Sequence, residues 1–186
     1  LIANRGEIAL RVIRACRELG IESVCVYSQA DANAPWLHFA DRAICIGKGP
    51  ASDSYLNIPR IISAAEVANV DAIHPGYGLL SENPEFVDAC EAAGITFIGP
   101  KAETMRALGD KASARRVAIE AGVPVIPATE VLGDDMDAIR AEAAGIGYPL
   151  MLKASWGGGG RGMRPITGPE ELEEKVLEGR REAEAA

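Results

Sequence analysis

Lys153-Ala154-Ser155-Trp156-Gly157-Gly158-Gly159-Gly160-Arg161-Gly162-Met163 is the stretch on which the fold assignment of this chain depends. It joins two short apolar segments, Leu150–Lys153 and Met163–Ile166, each of which predicts a strand. Consecutive glycines remove every Cβ, so the backbone can approach a ligand closely and turn its N–H groups toward it. Lys153 and Arg161 add positive charge. The sequence therefore predicts a loop that binds the phosphates of a nucleotide.

Two common nucleotide-binding loops do not fit this stretch. A Walker A loop ends in Gly-Lys-Ser/Thr, whereas no such triplet occurs here and the next element is a strand instead of a helix. A dinucleotide fingerprint opens a helix after the first strand, which this loop does not do. A flexible linker would be rich in serine and would join polar segments. A loop between two strands favours a flap that closes over ATP and excludes water.

Composition narrows the class of protein. The chain has 186 residues, of which 48% are hydrophobic and 25% charged, as in ordinary globular domains. Its net charge of −8 is unsuited to general nucleic-acid binding, which depends on neutralising phosphates. No apolar run reaches the roughly 18 residues that span a bilayer. We expect a cytoplasmic protein with neither nucleic-acid nor membrane partners. Because the chain lacks an initial Met and stops inside a helical pattern, we also expect a fragment of a longer protein.

The four cysteines predict no disulfide framework. Cys16, Cys25, Cys45 and Cys90 include no Cys-x-x-Cys pair, and each falls in a predicted helix or strand. The favoured interpretation is free, buried thiols in a reducing compartment. A zinc site or a catalytic thiol is the alternative.

The first hundred residues alternate strands with helices. Such alternation predicts a parallel sheet that is covered on both faces, an α/β fold. Asn57 and Asn83, each followed by proline within two residues, predict helix starts. The predicted strands are Leu1–Ala3, Ser23–Tyr27, Ala43–Ile46, Asp71–His74 and Ile95–Ile98, and the predicted helices run from about 6 to 19, 58 to 68 and 84 to 94.

The remainder predicts a smaller α+β unit. A helical stretch from about 102 to 121 breaks near Gly109, and residues 122–127 resemble a hinge. Either Asp134 or Asp135 is expected to cap a helix, in preference to binding a metal. Thr167 and Glu170 form a predicted capping box that opens the last helix. The predicted domains are 1–100, a helical linker at 101–125, and 126–186.

Two further places are candidate sites from the residues alone. His74-Pro75-Gly76-Tyr77-Gly78 follows a strand of the parallel sheet, and ligands bind outside the carboxyl ends of such strands. A structural turn with a buried histidine is the alternative interpretation. Lys153 is expected to contact phosphate from the end of its strand. Lys111 lies at a helix start, where spacing alone favours a solvated lysine.

Taken together, these motifs resemble biotin carboxylase, the ATP-grasp component of biotin-dependent carboxylases. The match is ordered and covers essentially the whole chain. It rests on residues 2–9 (IANRGEIA), 54–57 (SYLN), 72–78 (AIHPGYG), 81–83 (SEN), 97–101 (FIGPK) and the glycine-rich stretch at 153–163.

The resemblance implies a fold and a reaction. The fold is a Rossmann-like N-terminal domain without dinucleotide function, followed by an incomplete ATP-grasp lid. In the reaction, ATP phosphorylates bicarbonate to carboxyphosphate, which carboxylates biotin. The implied cofactors are ATP, Mg²⁺ or Mn²⁺, and biotin on a carrier domain or protein. The implied partners are that carrier, a carboxyltransferase and a second copy of the chain in a homo-oligomer.

The resemblance also implies roles for individual residues. Those implied to bind ATP are Lys111, Lys153, Gly157, Gly158, Gly159, Gly160, Arg161 and Met163. A biotin or nucleotide pocket is implied for His74, Tyr77 and Gly78, and a dimer-contact helix for Arg11, Arg14 and Glu18. Catalytic residues and metal ligands are expected beyond residue 186, so residues 1–186 alone are expected not to turn over ATP.

The resemblance leaves the carboxylated acceptor open. Residues from about 95 onward are similar to bacterial pyruvate carboxylase, whereas residues 1 to about 70 are more similar to the biotin carboxylase subunit of acetyl-CoA or other acyl-CoA carboxylases. Two other functions stay open: a different ATP-grasp ligase, such as a carbamoyl-phosphate or purine-pathway enzyme, and a non-catalytic nucleotide-binding module.

Overall fold

A computed structural model describes residues 1–153 and 163–184 of the chain, with side chains to residue 182. The chain divides into two compact units, Leu1–Arg106 and Ala107–Ala186. The domain limits predicted at residues 100 and 125 stay predictions. The helices are α1 Gly6–Glu18, α2 Ile58–Ala68, α3 Pro84–Ala92, α4 Ala102–Gly109, α5 Lys111–Glu120, α6 Met136–Ile146 and α7 Leu172–Glu184. The strands are β1 Val24–Ser28, β2 Arg42–Gly47, β3 Ala72–Ile73, β4 Thr96–Phe97, β5 Leu150–Leu152 and β6 Arg164–Ile166.

The first unit is built on parallel strand pairs, as the alternation of strands and helices predicted. β1 pairs with β2, and β3 pairs with β4, both in parallel. Ile2 lies between the two pairs and forms parallel bridges to Cys25 and to His74. The spatial order is therefore β2, β1, the Leu1–Ala3 segment, β3, β4. A strand was predicted at Leu1–Ala3, and the structure has two isolated bridges at Ile2 in its place. Through these bridges the segment joins the two halves of the sheet.

Side-chain caps and buried apolar faces explain the helices of the first unit. The Asn57 and Asn83 side chains accept hydrogen bonds from the N–H groups three residues later, which confirms both predicted starts. α2 buries Ile61, and α3 buries Phe86. The Phe86 ring meets the Phe97 ring of β4 edge to face, with centroids 5.8 Å apart. Helix caps and core contacts thus agree on where these helices lie.

The second unit contains the antiparallel pair β5–β6, with Leu150 opposite Ile166 and Leu152 opposite Arg164. Its core is made by residues from α6, β6 and α7: Ile139, Ala143, Ile166, Leu172 and Val176. Asp135, the second of the two predicted candidates, caps α6 by accepting from two backbone N–H groups.

The capping box predicted on Thr167 and Glu170 is wrong in its acidic partner. A short 3₁₀ turn, Pro169–Glu171, precedes α7. This turn shifts the register by one residue, so the carboxylate that accepts from the Thr167 N–H, at 3.1 Å, belongs to Glu171. Glu171 therefore does what the sequence pattern assigned to Glu170.

All four cysteines are free, but they are not all buried. Cys25 and Cys90 are buried, and burial raises the pKa of the Cys25 thiol to about 12 and that of the Cys90 thiol to about 11. Cys45 is exposed and Cys16 is only partly buried, which corrects the prediction for these two residues. The strand of Cys45, β2, pairs with β1 on one side, and alternate β2 side chains face away from the core.

Within residues 1–153 and 163–184, every helix is too short or too polar to cross a bilayer.

Candidate functional site

The first unit brings two loops together at the carboxyl ends of its central strands. The Leu1–Ala3 segment leads into Asn4, and β3 leads into the His74–Gly78 loop. β1 and β2 lie on the far side of the Leu1–Ala3 segment, and β4 lies on the far side of β3. The order of the strands therefore reverses between the Leu1–Ala3 segment and β3. A change of direction of this kind leaves a crevice outside the carboxyl ends, where ligands bind in open α/β sheets.

Asn4 fastens the two loops to each other. Its side-chain amide donates to the Pro75 carbonyl at 2.7 Å and to the Tyr77 carbonyl at 3.0 Å. Its Oδ1 accepts from the Arg5 N–H at 2.9 Å, and the residue is 1% exposed. A buried amide with all these groups paired fixes the distance between the loops. The sequence placed Asn4 in the motif at residues 2–9 but gave it no role of its own, because its partners lie 71 and 73 residues away.

His74 is part of the loop's internal structure. Its Nδ1 accepts from the Gly76 N–H at 3.0 Å, so in the neutral imidazole Nε2 carries the proton. Burial lowers the pKa of His74, which favours this neutral form. His74 is half-buried and bonds within its own loop, as expected for the alternative interpretation, a structural turn with a buried histidine.

Tyr77 and Gly78 form the outer part of the loop. Tyr77 is 62% exposed, and its hydroxyl donates to the Glu7 carboxylate at 3.2 Å. Gly78 has a φ of +68°, and the following Leu79 has a φ of +46°. This loop therefore presents an aromatic ring on the outside of a backbone that is tied down from the inside.

Asp31 organises a second polar cluster that the sequence did not reveal. Its carboxylate accepts from the Tyr55 hydroxyl at 2.7 Å and the Ser28 hydroxyl at 2.9 Å. Arg5 lies 3.5 Å from the same oxygen and 5.5 Å above the Tyr55 ring. Burial, followed by the hydrogen bond to Asp31, raises the pKa of Tyr55. The cluster holds Arg5, the residue that follows Asn4, near the end of β1.

Removing the Tyr55 hydroxyl is expected to destabilise the protein. The Ser28 N–H donates to this hydroxyl at 3.0 Å, and both residues are fully buried. Tyr55→Phe leaves that N–H unpaired, which costs about 1–3 kcal/mol. Urea unfolding measures the loss. Tyr27→Phe is the matched control, because the Tyr27 hydroxyl makes no hydrogen bond within the described part of the chain. Equal stabilities for the two variants would contradict the assignment.

The second unit places Lys153 and Met163 at one end of the β5–β6 pair. Lys153 directly follows β5 and Met163 directly precedes β6, one residue beyond the last register partners, Leu152 and Arg164. Both residues are exposed. The predicted phosphate-binding residues between them, Gly157, Gly158, Gly159, Gly160 and Arg161, lie outside the described residues.

Lys111 is the first residue of α5, and it is exposed. Asp110 caps this helix by accepting from the Ser113 N–H at 2.8 Å, and that bond lowers the pKa of Asp110. A helix N-terminus carries partial positive charge, which adds to that of the lysine. Lys111, Lys153 and Met163 all belong to the second unit, whereas His74, Tyr77 and Gly78 belong to the first.

Arg164 holds the β5–β6 pair against α7, a role that the sequence did not suggest. Its side chain is only 15% exposed and pairs with Glu178 and Glu182. These carboxylates, led by the hydrogen bond to Glu182, raise the pKa of Arg164. Gly179 lets α7 approach β5 closely, because a Cβ there would lie 3.3 Å from the Leu152 side chain.

Arg11, Arg14 and Glu18 are all exposed on α1, whose other face buries Ala9 and Ile13. The ion pair between Arg11 and Glu7 is long, at 3.9 Å. No group of three or more His, Cys, Asp or Glu side chains that could hold a metal ion occurs among the described residues.

Comparisons with known proteins cover both units. Residues 1–105 match the family described as biotin carboxylase, N-terminal domain, and residues 110–186 match the family described as carbamoyl-phosphate synthase L chain, ATP binding domain. The biotin carboxylase of Haemophilus influenzae is 52% identical over all of this chain and 42% of its own length.

Two solved structures are similar over the whole chain. One is the biotin carboxylase domain dimer of the Hydrogenobacter thermophilus 2-oxoglutarate carboxylase, in complex with MgADP, ADP and bicarbonate. It is 46% identical, with a TM-score of 0.90 over 100% of this chain and 41% of that one. The other is the Rhizobium etli pyruvate carboxylase with acetyl coenzyme-A, which is 54% identical, with a TM-score of 0.84 over 100% of this chain and 17% of that one. The chain thus spans less than half the length of each of these three similar proteins.

Proposed function

Because this chain belongs to the biotin carboxylase family, we propose that it supplies the N-terminal domain and part of the ATP lid of an ATP-dependent ligase. The complete enzyme phosphorylates bicarbonate with ATP and carboxylates biotin on a carrier domain or protein, from which a carboxyltransferase takes the carboxyl group. The match of residues 1–105 to the biotin carboxylase N-terminal domain argues against a carbamoyl-phosphate or purine-pathway enzyme, although residues 110–186 match an ATP-binding domain with a broader name.

The observation that carries the proposal is the placement of Lys153 and Met163. They leave the β5–β6 pair at the same end, so the glycine-rich stretch between them begins and ends at one place. A lysine at this place can neutralise phosphate oxygens, and a charge-assisted contact of that kind contributes about 1.5–3 kcal/mol. The apolar Met163 suits the nucleoside part of ATP. Lys111 is assigned to the phosphates as well, supported by its position at the N-terminus of α5.

Magnesium or manganese would neutralise the nucleotide phosphates. None of the described residues is assigned to hold it, and the metal ligands are assigned to the part of the enzyme outside residues 1–186. His74, Tyr77 and Gly78 are assigned to the biotin side of the site, supported by their place at the carboxyl ends of the central strands.

A homo-oligomer is also proposed, with Arg11, Arg14 and Glu18 at the contact. Its support is the exposure of these side chains on one helix and the dimer formed by the similar Hydrogenobacter domain. A cytoplasmic location is proposed from the four free cysteines, which suit a reducing compartment. The carboxyl acceptor is left to experiment, because similar proteins include both a pyruvate carboxylase and a 2-oxoglutarate carboxylase.

The proposal is tested by following ADP release from the complete protein with ATP, bicarbonate and free biotin. We expect release that requires both bicarbonate and biotin, and carboxybiotin as a product. The matched control is the 186-residue chain, from which we expect no biotin-dependent turnover, because the catalytic residues and metal ligands are assigned to the part of the enzyme outside it. A complete protein that hydrolyses no ATP under these conditions, or that releases ADP without carboxylating biotin, would refute the proposed reaction.

A further inference from the structure

Two side chains determine the conformation of the Pro75–Tyr77 backbone. The Asn4 amide holds the carbonyls of Pro75 and Tyr77, at 2.7 and 3.0 Å. His74 Nδ1 holds the N–H group between them, that of Gly76, at 3.0 Å. Asn4 is 1% exposed, so water does not compete for these bonds. Three consecutive residues therefore have their polar backbone groups fixed by side chains.

What this arrangement fixes is the direction of Tyr77. Its ring is 62% exposed although its carbonyl is bound by Asn4 and its hydroxyl by Glu7. A ligand that packs on such a ring does not have to order the loop first, so the entropy cost of binding is reduced. Loss of the Asn4 bonds would restore that cost without removing the ring.

The charges around the ring favour an uncharged ligand. The pKa of His74 is lowered by burial, so its imidazole is neutral near pH 7. Glu7, which accepts from Tyr77, is negative, and Arg5 is paired with Asp31. The charged groups that the described contacts of the first unit place at this loop are thus a carboxylate and a paired arginine, neither of which suits a polyphosphate. Within the proposed function, the ligand that fits is the neutral ring system of biotin, not ATP.

We propose that Asn4 is a positioning residue for biotin, acting through the Pro75–Tyr77 backbone on the Tyr77 ring. Asn4 itself contacts no substrate. The inference rests on the proposed function, and it adds to it a residue that sets the affinity for biotin but not for ATP.

The test measures KM for free biotin and KM for ATP in the complete protein carrying Asn4→Asp or Asn4→Ser. Asn4→Asp keeps the size and loses the two donors, and Asn4→Ser is too short to reach either carbonyl. We expect KM for biotin to rise about five- to thirty-fold, the factor that corresponds to losing one or both of the Asn4 hydrogen bonds. KM for ATP is expected to stay unchanged.

A double-mutant cycle separates positioning from general stability. If Asn4 acts through the Tyr77 ring, Asn4→Ser adds nothing to KM for biotin in a Tyr77→Ala background, because residues that act as one unit are not additive. Ser23→Ala is the matched control. Ser23 is 3% exposed, and its hydroxyl donates to Asp41 at 2.8 Å at the other end of β1. Its loss is expected to lower stability and to leave both KM values unchanged.

The inference is overturned if Asn4→Ser raises both KM values equally, changes neither, or has its full effect in the Tyr77→Ala background. Should both Asn4 variants fail to fold, His74→Ala is tested in the same double-mutant cycle, because it frees the Gly76 N–H. An unchanged KM for biotin, or a full effect of His74→Ala in the Tyr77→Ala background, is then the contrary result. Absence of bicarbonate-dependent biotin turnover in the unsubstituted protein would contradict the proposed function instead.

Discussion

Gly76→Ala is expected to destabilise the first unit by about 2–5 kcal/mol, the sum of a backbone and a packing cost. Gly76 has a φ of +67°, where an L-residue with a Cβ is strained by about 1–2 kcal/mol. Its new Cβ would also lie 2.6 Å from Asn4 Nδ2 and 2.6 Å from Ile8 Cγ2. Asn4 is held by its hydrogen bonds to the Pro75 and Tyr77 carbonyls, and Ile8 is part of α1. Relieving the overlap therefore costs about 1–3 kcal/mol more.

Gly78→Ala is the matched control. Gly78 has nearly the same φ, +68°, but no atom of the described residues lies within 4 Å of the position that its Cβ would take. It should show the backbone cost alone. Unfolding in urea can be followed through Trp36, which is buried in the first unit, in a Trp156→Phe background. If the two alanine variants were equally stable, the close packing of Gly76 against Asn4 and Ile8 would be wrong.

Lys153→Gln is expected to raise KM for ATP in the complete enzyme about ten- to hundredfold, as the loss of one charge-assisted contact predicts. The fold should be unaffected, because Lys153 is exposed and contributes little to the core of the second unit. A thermal melt of the variant checks this second expectation.

Lys101→Gln is the control for the loss of a positive charge as such. Lys101 is exposed, and its ion pair with Glu103 is long, at 3.9 Å. We expect its removal to leave the kinetics with ATP unchanged. An unchanged KM and kcat in Lys153→Gln would refute the assignment of Lys153 to the phosphates.

Much of the fold could be predicted because its signals are local. The Asn57 and Asn83 caps and the end of α2 at Ala68 follow from residues close to them in the chain. The parallel α/β class followed from the order of these elements, and the family match confirms both this class and the resemblance to biotin carboxylase. The capping box failed by one residue, at Glu170, because a 3₁₀ turn cannot be distinguished from a helix start by spacing alone.

The candidate site could be predicted only in part. His74, Tyr77 and Lys153 were predicted from their places after strands, and their roles stay predictions. The roles of Asn4, although it lies in the motif at residues 2–9, and of Arg164 were missed. Their importance comes from partners on other elements, the His74–Gly78 loop for Asn4 and α7 for Arg164. The exposure of Cys45 was missed for the same reason.

Local patterns in the chain were enough to predict most of its helices and strands, including the two strands that flank the glycine-rich stretch. Backbone preferences and hydrophobic periodicity act over a few residues, which is why these elements could be predicted. Long-range packing was needed to place the Leu1–Ala3 segment between β1 and β3. That placement brings Asn4 to a loop 71 residues away, where its amide fixes the backbone that carries Tyr77. Contacts over such distances depend on the free energy of the whole packed unit, and no local pattern encodes them.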